Sequence, residues 1–341
     1  SDAFGSCPGL GGGLFKRNES LDGRIVDIPD SVIQRLVDDV LYSYNFTVTE
    51  STPLDVEVAV DPEMVGRMFE ELVTGRHDQG AFYTPRKVVS YMCKESIRRY
   101  LNHYGCASSD EIDRLIDSRE MPDNPDSIYD ALKEIKVIDP ACGSGAYLVG
   151  FILELLEIHE TLYPDRKATD AYEAKKHFIS RCVFGVDLDG YAVQIARFRL
   201  WLSLLVQAVD PEPMPNVDLN FVQGDSISGP DPRRYMWPEE EEAARNIGEL
   251  RSACVFQWGK EEEGSRKELG QMMEQLESNL ARDYPGEAVK FEIQFAEVFV
   301  GERGGFDVVL ANPPYVRQEA IDDDTKALVR RTRIYGEMVT G

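Results

Sequence analysis

Long apolar runs are missing from this sequence: none reaches about 18 residues, the length a membrane-spanning helix needs, so no membrane contact is expected. No basic start followed by an apolar stretch is present, and no secretory signal is expected. Cysteine is sparse. Cys7, Cys93, Cys106, Cys142, Cys182 and Cys254 are scattered, form no CxxC pair and do not cluster with the four histidines. That argues against a disulfide framework and a zinc site, and it suits a reducing cytoplasm. Positive charge is short too, with 37 Lys and Arg against 61 Asp and Glu and a net charge of -24. No basic stripe is visible to grip nucleic-acid phosphates. Charges more than about 8 Å apart are largely screened at physiological salt, so a local patch counts for more than the total. Much of the acid also sits in solvated runs, Glu239–Glu242, Glu261–Glu263 and Asp322–Asp324.

What is present is ordinary for a soluble globular protein: 341 residues, 43% hydrophobic and 29% charged. The length allows one large or two ordinary domains. Nothing in the sequence sets an oligomeric state.

Residues 1–30 are rich in glycine and turn formers and read as a flexible segment. Residues 31–135 read as a helical region. Val32, Leu36, Val40 and Leu41 have helical spacing, and a second helix is expected from Asp61 and Pro62. A third is expected with Thr84 as its cap and Pro85 as its first residue, followed by two short polar helices before Lys136. From residue 136 the pattern changes. KVID, VFGVD (Val183–Asp187), LNFVQGD (Leu219–Asp225) and FDVVLAN (Phe306–Asn312) read as strands, with helices expected from near Ser144 and from Tyr191. Strands alternating with helices predict a parallel βαβ sheet, so the fold class is α/β, Rossmann-like. An acidic helical insertion is expected over about 229–300.

Three places carry candidate chemistry. Asp139, Pro140, Ala141, Cys142, Gly143, Ser144 and Gly145 end the first strand, and in open α/β sheets ligands bind at that edge. Taken alone this is a tight strand-to-helix turn. It does not match the dinucleotide fingerprint, because Tyr147 and Leu148 fall where a third glycine belongs, which disfavours a nicotinamide cofactor. Asp187 ends the second strand, where an acid typically accepts from both hydroxyls of a ribose. Asp189 suits the capping of the next helix and leaves Asp187 free. Asp225 ends the third strand and is placed to meet an adenine amino group. Three successive strands ending in acids point to one bound ligand.

The fourth strand ends in Asn312, Pro313, Pro314 and Tyr315. Two prolines fix the backbone and remove two amide donors, leaving carbonyls as acceptors. An aromatic amino group such as adenine N6 is a poor nucleophile, since its lone pair is delocalised into the ring. The Asn312 side-chain oxygen and the Pro313 carbonyl can together hold both N6 hydrogens and steer the nitrogen towards tetrahedral geometry. Tyr315 can stack on the base, worth about 1–3 kcal/mol, comparable to the few kcal/mol that extruding a base from a duplex requires. No general base is needed, and Cys142 is expected to pack rather than attack.

DPACGSGAYL, GVDLD, QGDSI and ANPPY, in this order, resemble the successive motifs of amino-methylating DNA methyltransferases, and the Asn-Pro-Pro-Tyr form resembles the N6-adenine type. Gly80–Pro85 (GAFYTP) is similar to the cofactor motif that precedes the glycine loop in the gamma-ordered class. Gly12–Phe15, Tyr44–Glu50, Met68–Val73 and Phe291–Phe299 resemble stretches of type IIG restriction–modification and related phage-defence enzymes, so the likeness spans nearly the whole chain. It implies S-adenosyl-L-methionine as cofactor and double-stranded DNA as substrate. It also implies that Tyr83, Thr84 and Pro85 close over the methionine end of the cofactor, and that Leu188 and Ser226 join Asp187 and Asp225 around it.

Two departures bear on the extent of the chain. In that family later strands, a second aromatic contact to the base and a target-recognition domain follow the tetrapeptide, and the GGLF stretch follows a long N-terminal region. The expectation is that the chain is an internal piece of a larger protein, with residues 136–341 as its S-adenosylmethionine-dependent methyltransferase core and most DNA contacts outside it. Rival readings are methylation of a protein glutamine or an RNA guanine, which use the same tetrapeptide but typically without an FYTP segment. A cofactor-binding but inactive module of a defence complex is a further one.

Overall fold

The computed structural model describes residues 84–165, 168–205, 215–227, 238–257, 259–280, 288–300 and 304–313, with a few isolated positions elsewhere. The helices expected over 31–44 and from Asp61 lie outside these residues. Asn45–Phe46 and Ala59–Val60 form a short parallel pair.

The main sheet has four parallel strands: β1 (Val137–Asp139), β2 (Val183–Asp187), β3 (Phe221–Gln223) and β4 (Val308–Val309). Their order is β3-β2-β1-β4. The chain thus steps outward from β1 to β3, then crosses back to pair β4 with the other side of β1. The reversal creates a topological switch point at β1, and crevices outside the strand ends at such points are where open α/β sheets hold ligands.

Alternation along the strands sends successive side chains to opposite faces. On one face Val137 and Val183 join the larger core, built from α1 (Arg86–Tyr104), α2 (Ser109–Ser118), α3 (Pro125–Glu134), α4 (Ala146–Leu162), α5 (Ala168–His177) and α6 (Gly190–Leu205). α4 is buried through most of its circumference, because it lies between the sheet and α1. The two helices approach closely at Gly150, where a Cβ would come within 2.4 Å of Val89 Cγ1. α2 begins with a capping box between Ser108 and Glu111, and α3 with Asn124 accepting from the Ser127 N–H and Pro125 in its first turn.

The opposite face is covered by Val289, Phe295 and Val298 packing on Ile138, Phe184 and Val186. These come from the expected insertion. Its helices are α7 (Pro238–Cys254), α8 (Gly259–Leu280), α9 (Phe291–Gln294) and α10 (Ala296–Phe299). A parallel connection from β3 to β4 needs a crossover, and this segment is it. Phe295 stacks edge-on against Phe184 at 5.5 Å and Phe306 at 5.6 Å. Arg251 of α7, almost fully buried, pairs with Glu297 of α10 at 2.6 Å. Reading the segment as an insertion therefore understated it, since its last helices form half of the sheet's cover. Among the described residues no helix is long and apolar enough to cross a membrane.

Candidate active site

The glycine loop leaves β1 at Asp139 and re-enters helix at Ala146. Gly143 and Gly145 both take left-handed backbone, with φ of +52° and +83°. A side chain there is strained, and at Gly145 it would also press on Ala196 of α6 at 3.0 Å. Ser144, buried beneath the loop, accepts from Arg199 of α6 through its carbonyl at 2.8 Å and its hydroxyl at 3.2 Å. The Cys142 N–H donates to the Val186 carbonyl at 2.9 Å, which ties the loop to β2. Sequence reasoning missed Arg199, because an arginine inside an apolar helix carries no spacing that links it to a loop 55 residues away.

Asp187 closes the loop from the neighbouring strand. One carboxylate oxygen accepts from the Gly143 N–H at 2.7 Å and the other from the Asp189 N–H at 2.9 Å. Asp189 in turn accepts from the Tyr191 N–H at 2.9 Å, the helix-start role expected of it. Asp187 is left out of the capping of α6, and parallel pairing of β1 with β2 brings the loop amide onto its carboxylate. Each oxygen still has a second lone-pair direction for a ligand. Ser226 donates to the Pro140 carbonyl at 2.5 Å, so the end of β3 is fastened to the same loop. Asp225 accepts from the Ile227 N–H at 2.8 Å. Leu188 and Ile227, 62% and 52% exposed, stand beside these two acids as apolar side chains open to solvent. Leu188 was singled out from the sequence. Ile227 was not, since nothing in its local pattern separates it from an ordinary loop residue.

Burial pushes the Asp139 carboxyl up to about 7, opposed by donation from the Ala141 N–H and reinforced by the nearby Asp187 charge. Asp187 is raised as well, mainly by burial, with the Asp189 and Gly143 amides working against it. The Cys142 thiol is raised far above its ordinary range by burial and by the charges of Asp139 and Asp187, so it packs as a neutral group. Among the described residues no cluster of His, Cys, Asp or Glu is arranged to hold a metal ion.

Asn312 follows β4 and is half-buried, with Pro313 exposed beside it. Its Nδ2 donates to the Thr84 hydroxyl at 3.0 Å. Thr84 is therefore not the cap of α1. That helix starts at Arg86, with Pro85 in extended backbone (ψ 138°) at the cap position and no side-chain cap bond. The threonine was given to the helix because Thr-Pro is a common start, and the structure turns its hydroxyl to β4 instead. Tyr83, Pro314 and Tyr315 lie outside the described residues.

A parallel sheet in this order, with a left-handed glycine loop after its first strand and acids after the next two, is the core of a Rossmann-like methyltransferase. Residues 181–337 match the model of the Eco57I restriction-modification methylase family. The family acts with a methyl donor. The chain is similar to a Methanocaldococcus jannaschii protein named as a candidate type II restriction enzyme and methyltransferase, 31% identical over 255 residues. It is also similar to the adenine-specific methyltransferases PglX of Streptomyces coelicolor, 27% identical over 204 residues, and BrxX of Escherichia coli O9:H4, 23% identical over 196 residues. These matches take in 66%, 58% and 55% of this chain but 21%, 13% and 15% of the respective relatives.

Proposed function

We propose that the protein containing this chain methylates N6 of adenine in double-stranded DNA, using S-adenosyl-L-methionine, as part of a restriction–modification or phage-defence system. The observation that carries the reading is the meeting, at one sheet edge, of the β1 glycine loop, Asp187 and Asn312. The relatives' names, two of which specify adenine, point the same way.

The loop and acids fit the cofactor. Gly143 and Gly145 leave backbone open for close approach, and Asp187 offers lone pairs to a ribose. Leu188 and Ile227 supply apolar surface for a purine, with Asp225 beside them for its amino group. The methionine end of this cofactor carries a sulfonium and an ammonium. When bound, S-adenosyl-L-methionine supplies a methyl group activated by that sulfonium charge. Tyr83 and Pro85 cover its methionine end.

Asn312 Oδ1 and the Pro313 carbonyl accept the two N6 hydrogens of an extruded adenine. Holding both hydrogens localises the nitrogen lone pair and points it at the donor, while Tyr315 stacks on the base and offsets part of the cost of extrusion. Orientation and charge do the work, so no titrating side chain is required. DNA phosphates are gripped chiefly by parts of the protein beyond this chain, in keeping with its net charge of -24.

The test is to incubate the whole protein with labelled S-adenosyl-L-methionine and genomic DNA free of adenine methylation, then resolve the nucleosides. Label in N6-methyldeoxyadenosine supports the reading. Label in protein glutamine or RNA guanine, or none in DNA, overturns it.

A further inference from the structure

We propose that Thr84 is a positioning residue that sets which end of the Asn312 amide faces the substrate, a role distinct from covering the cofactor. The inference rests on reading Asn312 as the residue that holds adenine N6.

An asparagine amide has two ends of nearly equal shape and opposite hydrogen-bonding sense. Only Oδ1 can accept from an amino group. Turned over, the amide aims two N–H donors at two others. The terminal torsion of asparagine is broad and roughly two-fold, so the residue's own geometry does not choose. Its chain neighbours do not choose either: β4 is two residues long, and Asn312 stands between Ala311 and a proline that has no N–H to offer.

Thr84 supplies the missing reference point. Its hydroxyl takes the Asn312 Nδ2 at 3.0 Å, across 228 residues of chain. A hydroxyl can donate or accept, but with an amino group on the far side of the amide only one arrangement satisfies both neighbours. Nδ2 must face Thr84 and Oδ1 must face the base. The hydroxyl sits on fixed backbone. Pro85 follows it, and the Pro85 carbonyl accepts from the Val88 and Val89 N–H groups at 2.9 and 3.1 Å. Val89 then locks α1 against α4 at Gly150. The bond thus transfers the rigidity of the α1–α4 contact to the residue after a very short strand. α1 makes no side-chain cap bond, so helix capping does not account for the threonine.

The experiment compares Thr84→Val, Thr84→Ala and Thr84→Ser with the parent and with Asn312→Ala, all in the whole protein. Two quantities are read: S-adenosyl-L-methionine affinity by calorimetry, and the single-turnover rate of labelled methyl transfer to genomic DNA free of adenine methylation. The expected result is a rate about 10- to 100-fold lower in the valine and alanine variants. Cofactor affinity stays within about threefold, and the serine variant recovers most of the rate, since only the hydroxyl is needed. Using two non-hydroxyl variants guards against a folding defect peculiar to one. Parental rates in both, with Asn312→Ala inactive, would overturn the positioning role and leave the reading of Asn312 standing. Loss of cofactor affinity matching the loss of rate would assign Thr84 to the cofactor instead. Full activity in Asn312→Ala would remove the reading on which the inference rests.

Discussion

Asn312 and Thr84 meet at 3.0 Å through a side-chain hydrogen bond that joins the segment just after β4 to the segment just before α1. At the same end of the parallel sheet, Asp187 holds the glycine loop by accepting from the Gly143 N–H. On the proposed roles, changes at the two places are expected to separate into effects on transfer and effects on cofactor binding.

Asp187 is the first place to look for a pure binding effect. Asp187→Ala removes the acceptor for the Gly143 and Asp189 amides as well as the proposed ribose contact. Affinity for S-adenosyl-L-methionine, followed by calorimetry, is expected to fall by about tenfold or more, equivalent to one or two hydrogen bonds to a charged group. Unchanged affinity would take the ribose role away from Asp187.

The two glycines of the loop should differ in sensitivity. Both adopt left-handed backbone, which costs an L-residue about 1–2 kcal/mol. A methyl at position 143 meets nothing within 4 Å, whereas one at 145 meets Ala196 at 3.0 Å. Thermal unfolding should show Gly145→Ala destabilised more than Gly143→Ala. Equal losses would mean that α6 yields at Ala196.

Asp139 gives the protein a pH dependence of known sign. Its folded-state pKa of about 7 exceeds the ordinary value of 3.8, so the folded protein holds this proton where the unfolded chain has released it. Stability from this group is fully present below about pH 4 and is lost as pH rises through about 7. Asp139→Asn keeps the shape without the charge. Its unfolding free energy, measured from pH 4.5 to 8, should fall less with pH than the parent's, with the remaining slope reflecting Asp187, which is shifted the same way. Parallel profiles would show that Asp139 ionises normally in the folded state.

Much of this architecture is legible in the sequence because the strands are short apolar runs that each end in a distinctive residue. Asp139 and Asp187 end β1 and β2, and Asn312 follows β4 closely. Local pattern also gives the start of α6 and the turn at Gly143–Gly145. What it does not give is pairing across distance. The order β3-β2-β1-β4, the carboxylate of Asp187 on a loop amide, and Arg199 beneath Ser144 all depend on which strand lies beside which. Thr84 shows the limit at a single residue, where a Thr-Pro pair predicts a helix cap and the hydroxyl instead meets Asn312, 228 residues away. Phe295 shows it for a segment: it falls in the span read as an acidic helical insertion, yet it is fully buried against Phe184 and Phe306 in the sheet's second core.

The most direct test of the whole account is Asn312→Ala in the full protein, with S-adenosyl-L-methionine affinity and N6-methyladenine formation measured side by side. The expected result is affinity within about threefold of the parent and transfer reduced by about 1,000-fold or more, the pattern of a contact made only to the reacting group. Parental transfer, or loss of cofactor binding in step with transfer, would contradict the assignment of Asn312 to the substrate amino group.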